Sequence, residues 1–149
     1  MSTACRRPHS DVPMIVALLA GAVTAVVSVV MVAAAFGVPH EILVSLAPKS
    51  VTAGIAMAIT ESAGGRPALT AVLVIATGVM GAVIVTPLMN ALKITDYAAR
   101  GFAVGLASHG IGTARAFAVD EIAGTFAGIA MGLNGVATSL ILPLLLRGL

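Results

Sequence analysis

Apolar positions fall into five long stretches separated by short polar interruptions, and two of those stretches are themselves interrupted. Residues 14–38 are apolar apart from Thr24 and Ser28, residues 68–89 carry no charge, and residues 122–146 form a third run of the same kind. Each is long enough to cross a bilayer core about 30 Å thick as an α-helix. Residues 42–60 are cut by Pro48-Lys49-Ser50, and residues 101–119 by Ser108-His109-Gly110-Ile111-Gly112-Thr113-Ala114-Arg115. The connections contain turn formers and charges, in residues 61–67 (Glu-Ser-Ala-Gly-Gly-Arg-Pro) and 90–100 (with Lys93, Asp96 and Arg100). The pattern predicts an all-α, polytopic membrane helix bundle of about five apolar segments, two of them discontinuous helices.

Composition supports this reading. The chain has 149 residues, 59% hydrophobic and 9% charged, with a mean hydropathy of +1.10. A water-soluble domain carries about 25% charged residues. Most of the surface must therefore face lipid. A net charge of +2, with Arg6-Arg7 the longest basic run, does not suit nucleic acid. Cys5 is the single cysteine, so no intramolecular disulfide or cysteine metal site can form. The run at 14–38 is 25 residues long, longer than the 7–15 residues of a signal-peptide core, which favours a retained helix. Residues 1–12 read as a polar tail and 13–149 as one membrane domain, multi-pass in the inner (plasma) membrane.

The interruptions are costly in lipid, which offers no hydrogen bonds to an unwound backbone. Non-helical chain at that depth persists where protein or a wet cavity satisfies it. Pro48 removes an amide hydrogen and disfavours helix at Ala47. Gly110 and Gly112 make unwinding cheap. Gly101 and Gly105, and Gly124, Gly128 and Gly132, form stripes suited to close helix packing. Orientation stays open on sequence alone. Five full crossings with the N-terminus inside put Lys93, Arg100 and Arg147 outside, against the positive-inside bias. A re-entrant second segment, or an N-terminus outside, relieves the conflict.

Both interruptions carry groups that suit an anion. Lys49 within an apolar segment is costly and is usually functional, although it could instead snorkel to the interface. A half-helix restarting after Pro48 directs free amides and a positive dipole end beside Lys49, Ser50 and Thr52. In the second break, the spacing predicts that Thr113 caps a half-helix starting near Ala114, with Gly110 and Gly112 turning amides toward a ligand. Ser108 and His109 offer hydrogen bonds or a titratable group, and Arg115 a planar cation that alternatively pairs with Asp120 or Glu121. No phosphate-loop, dinucleotide, metal or nucleophile–base pattern survives inspection of these strings, so no cofactor and no enzymatic activity are expected.

The strings "LAPKSVTAGIAMAI", "GGRPALTAVLVIATGVMGAV" and "ARGFAVGLASHGIGTARAF" closely resemble the LrgB (CidB-type) membrane protein family, from about Ile42 to the C-terminus. Ala53-Gly54 departs from the Thr-Pro expected after Ser-Val-Thr, and family members carry further spans upstream, so the resemblance implies an N-terminally shortened member. It implies two activities. One is an antiholin-like role with an LrgA-like holin partner, modulating murein hydrolase activity and lysis. The other is transport of small carboxylates such as pyruvate, glycolate and glycerate. Helix breaks bearing cations favour transport, with Lys49, Ser50, Thr52, Ser108, His109, Gly110, Gly112, Thr113 and Arg115 as candidate substrate-binding residues. The remaining expected partners are lipid and either an LrgA-like chain or further copies of this one.

Overall fold

A computed structural model describes residues 11–146. Its elements are α1 (Asp11–Ala35), α2 (His40–Leu46), α3 (Ala53–Ser62), α4 (Pro67–Ala91), α5 (Tyr97–Val119) and α6 (Glu121–Leu146). There is no strand among the described residues. Cys5, Arg6, Arg7 and Arg147, which entered the sequence reading, lie outside them.

Three helices are long and apolar enough to cross a membrane, over Pro13–Ala35, Pro67–Ala91 and Glu121–Leu146. The two interrupted segments do not cross. An α-helix rises about 1.5 Å per residue, so a straight α5 would place Val104 and Ala116 about 18 Å apart. Instead they share one apolar cluster with Ala123 and Ala127, and a Cβ on Gly112 would lie 2.9 Å from the Val104 side chain. His109, at φ 40° and ψ −134°, reverses the chain. Residues 97–108 and 110–119 are two half-helices folded back on each other, with His109 at the tip.

The first interrupted segment does the same. Arg66, just beyond α3, forms an ion pair with Glu41 at the start of α2 (3.5 Å), and its backbone N–H donates to Ser45 Oγ at 2.8 Å. Thr70 Oγ1 donates to the Ser45 carbonyl at 2.9 Å, and Thr60 and Thr70 hydroxyls meet at 2.9 Å. A straight run through α2 and α3 would separate Glu41 from Ser62 by roughly 30 Å. The five apolar segments are thus three long helices and two folded-back pairs of short ones. The re-entrant alternative raised for the second segment holds, the fourth segment doubles back as well, and the two hairpins enter from opposite faces. The physical reason is that a broken span and a hairpin share one apolar signature, and only the dihedral at the break decides between them.

The loops at residues 36–39 and 63–66 define face I, and residues 92–96 with Asp120 define face II. Helix α1 runs parallel to α6, with Leu18 beside Ala130 and the Met14 end against Phe102 and Phe126. Gly101 and Gly105 let the first arm of α5 lie directly on α6, since a Cβ at either would overlap the Ala123 or Ala127 backbone. The stripe on α6 divides differently. Gly124 faces the Phe117 ring, whereas Gly128 and Gly132 face open space.

The two hairpin-and-span units, α2–α3–α4 and α5–α6, are inverted relative to each other. Their sequences show the relation once the fold points to it. At a sixty-position offset Leu46, Ala47, Ala56 and Ala58 meet Leu106, Ala107, Ala116 and Ala118, and Lys49 falls opposite His109. Each span also carries an internal proline, Pro87 in α4 and Pro143 in α6, outside that register. Lys49 and His109 thus occupy equivalent places in the two tips.

Candidate functional site

The tips are built by what stops each helix. In the first hairpin, α2 ends where Pro48 interrupts the amide ladder, and residues 47–52 turn through Lys49 N–H to Leu46 O (3.2 Å) and Val51 N–H to Pro48 O (3.2 Å). Thr52, extended at φ −57° and ψ 141°, precedes α3 without capping it by its side chain, so the first amides of α3 keep their donors. Lys49 is half-buried and its Nζ donates to Ser50 Oγ at 3.2 Å.

In the second hairpin the helix restarts at Gly110, one turn earlier than the Thr113 cap predicted from sequence. Thr113 is buried within the returning arm, and its hydroxyl donates back to the His109 carbonyl at 2.8 Å. The physical reason is that His109 itself takes the non-helical dihedrals, which leaves Thr113 on the first helical turn. His109 is 4% exposed and its Nε2–H donates to the Val74 carbonyl in α4 at 3.0 Å. A Cβ on Gly78 would lie 2.8 Å from the His109 ring, and Ser108, also buried, presses on Gly81. Glycines on α4 therefore make the seat for the second tip.

One side chain outside the predicted set joins the two breaks. Asn134, buried in α6, donates from Nδ2 to the Ser50 carbonyl at 2.9 Å and to the Leu106 carbonyl at 3.4 Å. Its Oδ1 accepts from the Thr138 hydroxyl at 3.3 Å. A carbonyl at the end of an interrupted helix has lost its amide partner, and one carboxamide replaces that partner for both tips. The signal available in the sequence was a lone Asn in an otherwise apolar run, costly in lipid unless paired.

A narrow crevice lies beside this junction, lined by Pro48, Ser50, Val51, Asn134 and Thr138 with Ala22, Ala25 and Val26 of α1. Ser50 and Asn134 are thus brought together at one place. Gly112 packs on Val104 inside the second hairpin, and Gly110 is exposed beside Met131. Arg115 lies elsewhere. It is exposed and lines a cleft near the base of the second hairpin, with Arg100 and Tyr97. No group of three or more metal-ligating side chains exists among the described residues.

Two re-entrant hairpins whose tips are joined between crossing helices define a polytopic, all-α membrane protein. Residues 8–147 match the LrgB-like family, and the chain belongs to it. It is 36% identical over 135 residues to the uncharacterized protein YwbG of Bacillus subtilis, covering 91% of this chain and 60% of YwbG. It is 33% identical over 112 residues to the holin-like protein CidB of Staphylococcus aureus, covering 75% of this chain and 49% of CidB. The chain thus spans about half to three-fifths of the length of these curated relatives. No solved structure matches it.

Proposed function

We propose that this chain carries small monocarboxylates, of the pyruvate or glycolate kind, across the inner membrane through the region where the hairpin tips meet. The observation that carries the reading is the Asn134 carboxamide held between the Ser50 and Leu106 carbonyls, which joins two breaks entering from opposite faces. Lys49, Ser50 and Thr52, with the free amides of α3, supply the cation and donors that replace a carboxylate's hydration. Ser108, His109, Gly110, Gly112 and Thr113 contribute the second tip. Lys93, Arg100 and Arg115 lie on or toward face II, and Arg66 on face I is paired with Glu41, so the positive-inside bias assigns face II to the cytoplasm.

The test is uptake of labelled pyruvate and glycolate by proteoliposomes. Lys49→Met is expected to abolish saturable uptake while helix content and incorporation stay as in the wild type. Uptake equal to the wild type overturns the assignment.

A holin-regulating role is the second reading, favoured by the holin-like description of the CidB relatives and by the open face at Gly128 and Gly132. It places activity on helix association with a holin-like partner or another copy. Gly128→Leu then abolishes the effect in a lysis assay and His109→Ala does not, the reverse of what transport requires.

A further inference from the structure

The second hairpin does more than build a tip. By folding back, it brings Arg100 from its outgoing arm and Arg115 from its returning arm onto one cleft. The cleft lies open between α4, both arms of the hairpin and the start of α6. Thr86, on α4, and Tyr97 also line it.

Among the described residues neither arginine pairs with a carboxylate. Among the described residues the single ion pair is Arg66 with Glu41. Arg100 is held in place by neutral groups: its Nε donates to the Ile94 carbonyl at 2.6 Å, its Nη2 to Asn90 Oδ1 at 2.7 Å, and its guanidinium lies 5.8 Å from the Tyr97 ring centroid. Two of the carboxylates at this end serve helix starts. Asp96 accepts from the Ala98 and Ala99 amides, and Asp120 from those of Ile122 and Ala123. Glu121 sits in the first turn of α6, where its charge favours the helix dipole. An oriented guanidinium and a second one converging on a cleft without a counter-charge form a receptor for an oxyanion.

We infer that this cleft is a second binding site, taking a small carboxylate on face II before it reaches the hairpin tips. As a carboxylate site it stands on the arginines alone, and as a staging site it rests on the transport reading above.

Tyr97 makes it directly observable. The chain has one Tyr and no Trp, so its tyrosine emission reports from the cleft itself. In phosphatidylcholine vesicles, glycolate is expected to change Tyr97 emission saturably. Arg115→Gln weakens that binding about tenfold, and Arg100→Gln with Arg115→Gln removes it. Arg115→Lys, which keeps the charge at an exposed position, guards against misfolding and retains part of the response. No saturable change in the wild type, or the same change in the double variant, overturns the site. A response that appears only with phosphatidylglycerol in the vesicles, and that glycolate does not displace, makes the cleft a lipid headgroup seat and overturns the carboxylate assignment. In uptake assays, Arg115→Gln lowers initial rates from face II more than from face I at low substrate. Equal lowering from both faces rejects the staging role. If wild-type vesicles take up nothing, transport falls while the Tyr97 titration still decides the cleft.

Discussion

The His109 ring donates from Nε2 to the Val74 carbonyl at 3.0 Å, fastening the tip of the second hairpin to a crossing helix that precedes it by 35 positions. Burial makes this contact consequential, because removing the ring loses the bond and opens a void against Gly78. His109→Ala is expected to destabilise the detergent-solubilised protein by about 1–3 kcal/mol, the combined cost of a lost hydrogen bond and a packing void. Thermal unfolding followed by circular dichroism measures it. An unchanged midpoint contradicts the seat described for the tip.

Asn134→Leu removes the donor serving the Ser50 and Leu106 carbonyls and is expected to destabilise by about 1–3 kcal/mol. Under the proposed function it also abolishes uptake, whereas Thr138→Val, which removes only the hydroxyl held by the Asn134 oxygen, lowers uptake partially. Equal effects of the two variants would separate Asn134 from its role between the tips.

The hairpins predict sidedness. With Cys5 replaced, single cysteines at Phe36 and Glu61 are expected to react with an impermeant thiol reagent from one face, and those at Lys93 and Glu121 from the other. Five full crossings would place Phe36 and Glu61 on opposite faces. Labelling in right-side-out and inverted vesicles discriminates between the topologies.

The glycines divide by what they touch. Gly101→Ala drives a methyl group into the Ala123 backbone and is expected to lower stability by about 1–3 kcal/mol, as overpacking does. Gly128→Ala meets open space and is expected to be neutral or stabilising by about 0.5–1 kcal/mol, the difference in helix entropy between the two residues.

Exposure sets the last contrast. Glu41→Gln breaks an ion pair whose side chains are 56–62% exposed, and is expected to change stability by less than about 1 kcal/mol. Thr70→Val removes the buried donor to the Ser45 carbonyl and the partner of Thr60, and costs about 1–3 kcal/mol. The ordering of the two unfolding midpoints is the readout.

The three crossing helices were legible in the sequence because lipid tolerates few other readings of long uncharged runs. Both breaks were legible for the same reason, through Pro48 and the glycines after His109. A reversal stood among the alternatives for the second segment, through its effect on charge placement, but not for the fourth, since apolar arms look alike whether the chain continues or doubles back. Asn134 was overlooked because a single amide hardly disturbs the hydropathy of α6. Arg115 was grouped with His109 by proximity along the chain, a grouping that folding undoes by carrying it down the returning arm to Arg100 and Tyr97.

The sixty-position echo between Lys49 and His109 has a topological corollary. A unit made of a hairpin and one span traverses the bilayer an odd number of times, so a tandem copy of it lands upside down with no change to its own residues. Parity alone therefore turns a head-to-tail duplication into two opposed halves. From that moment the equivalent tip positions answer to opposite compartments, and a cation in one copy and an imidazole in the other are free to diverge.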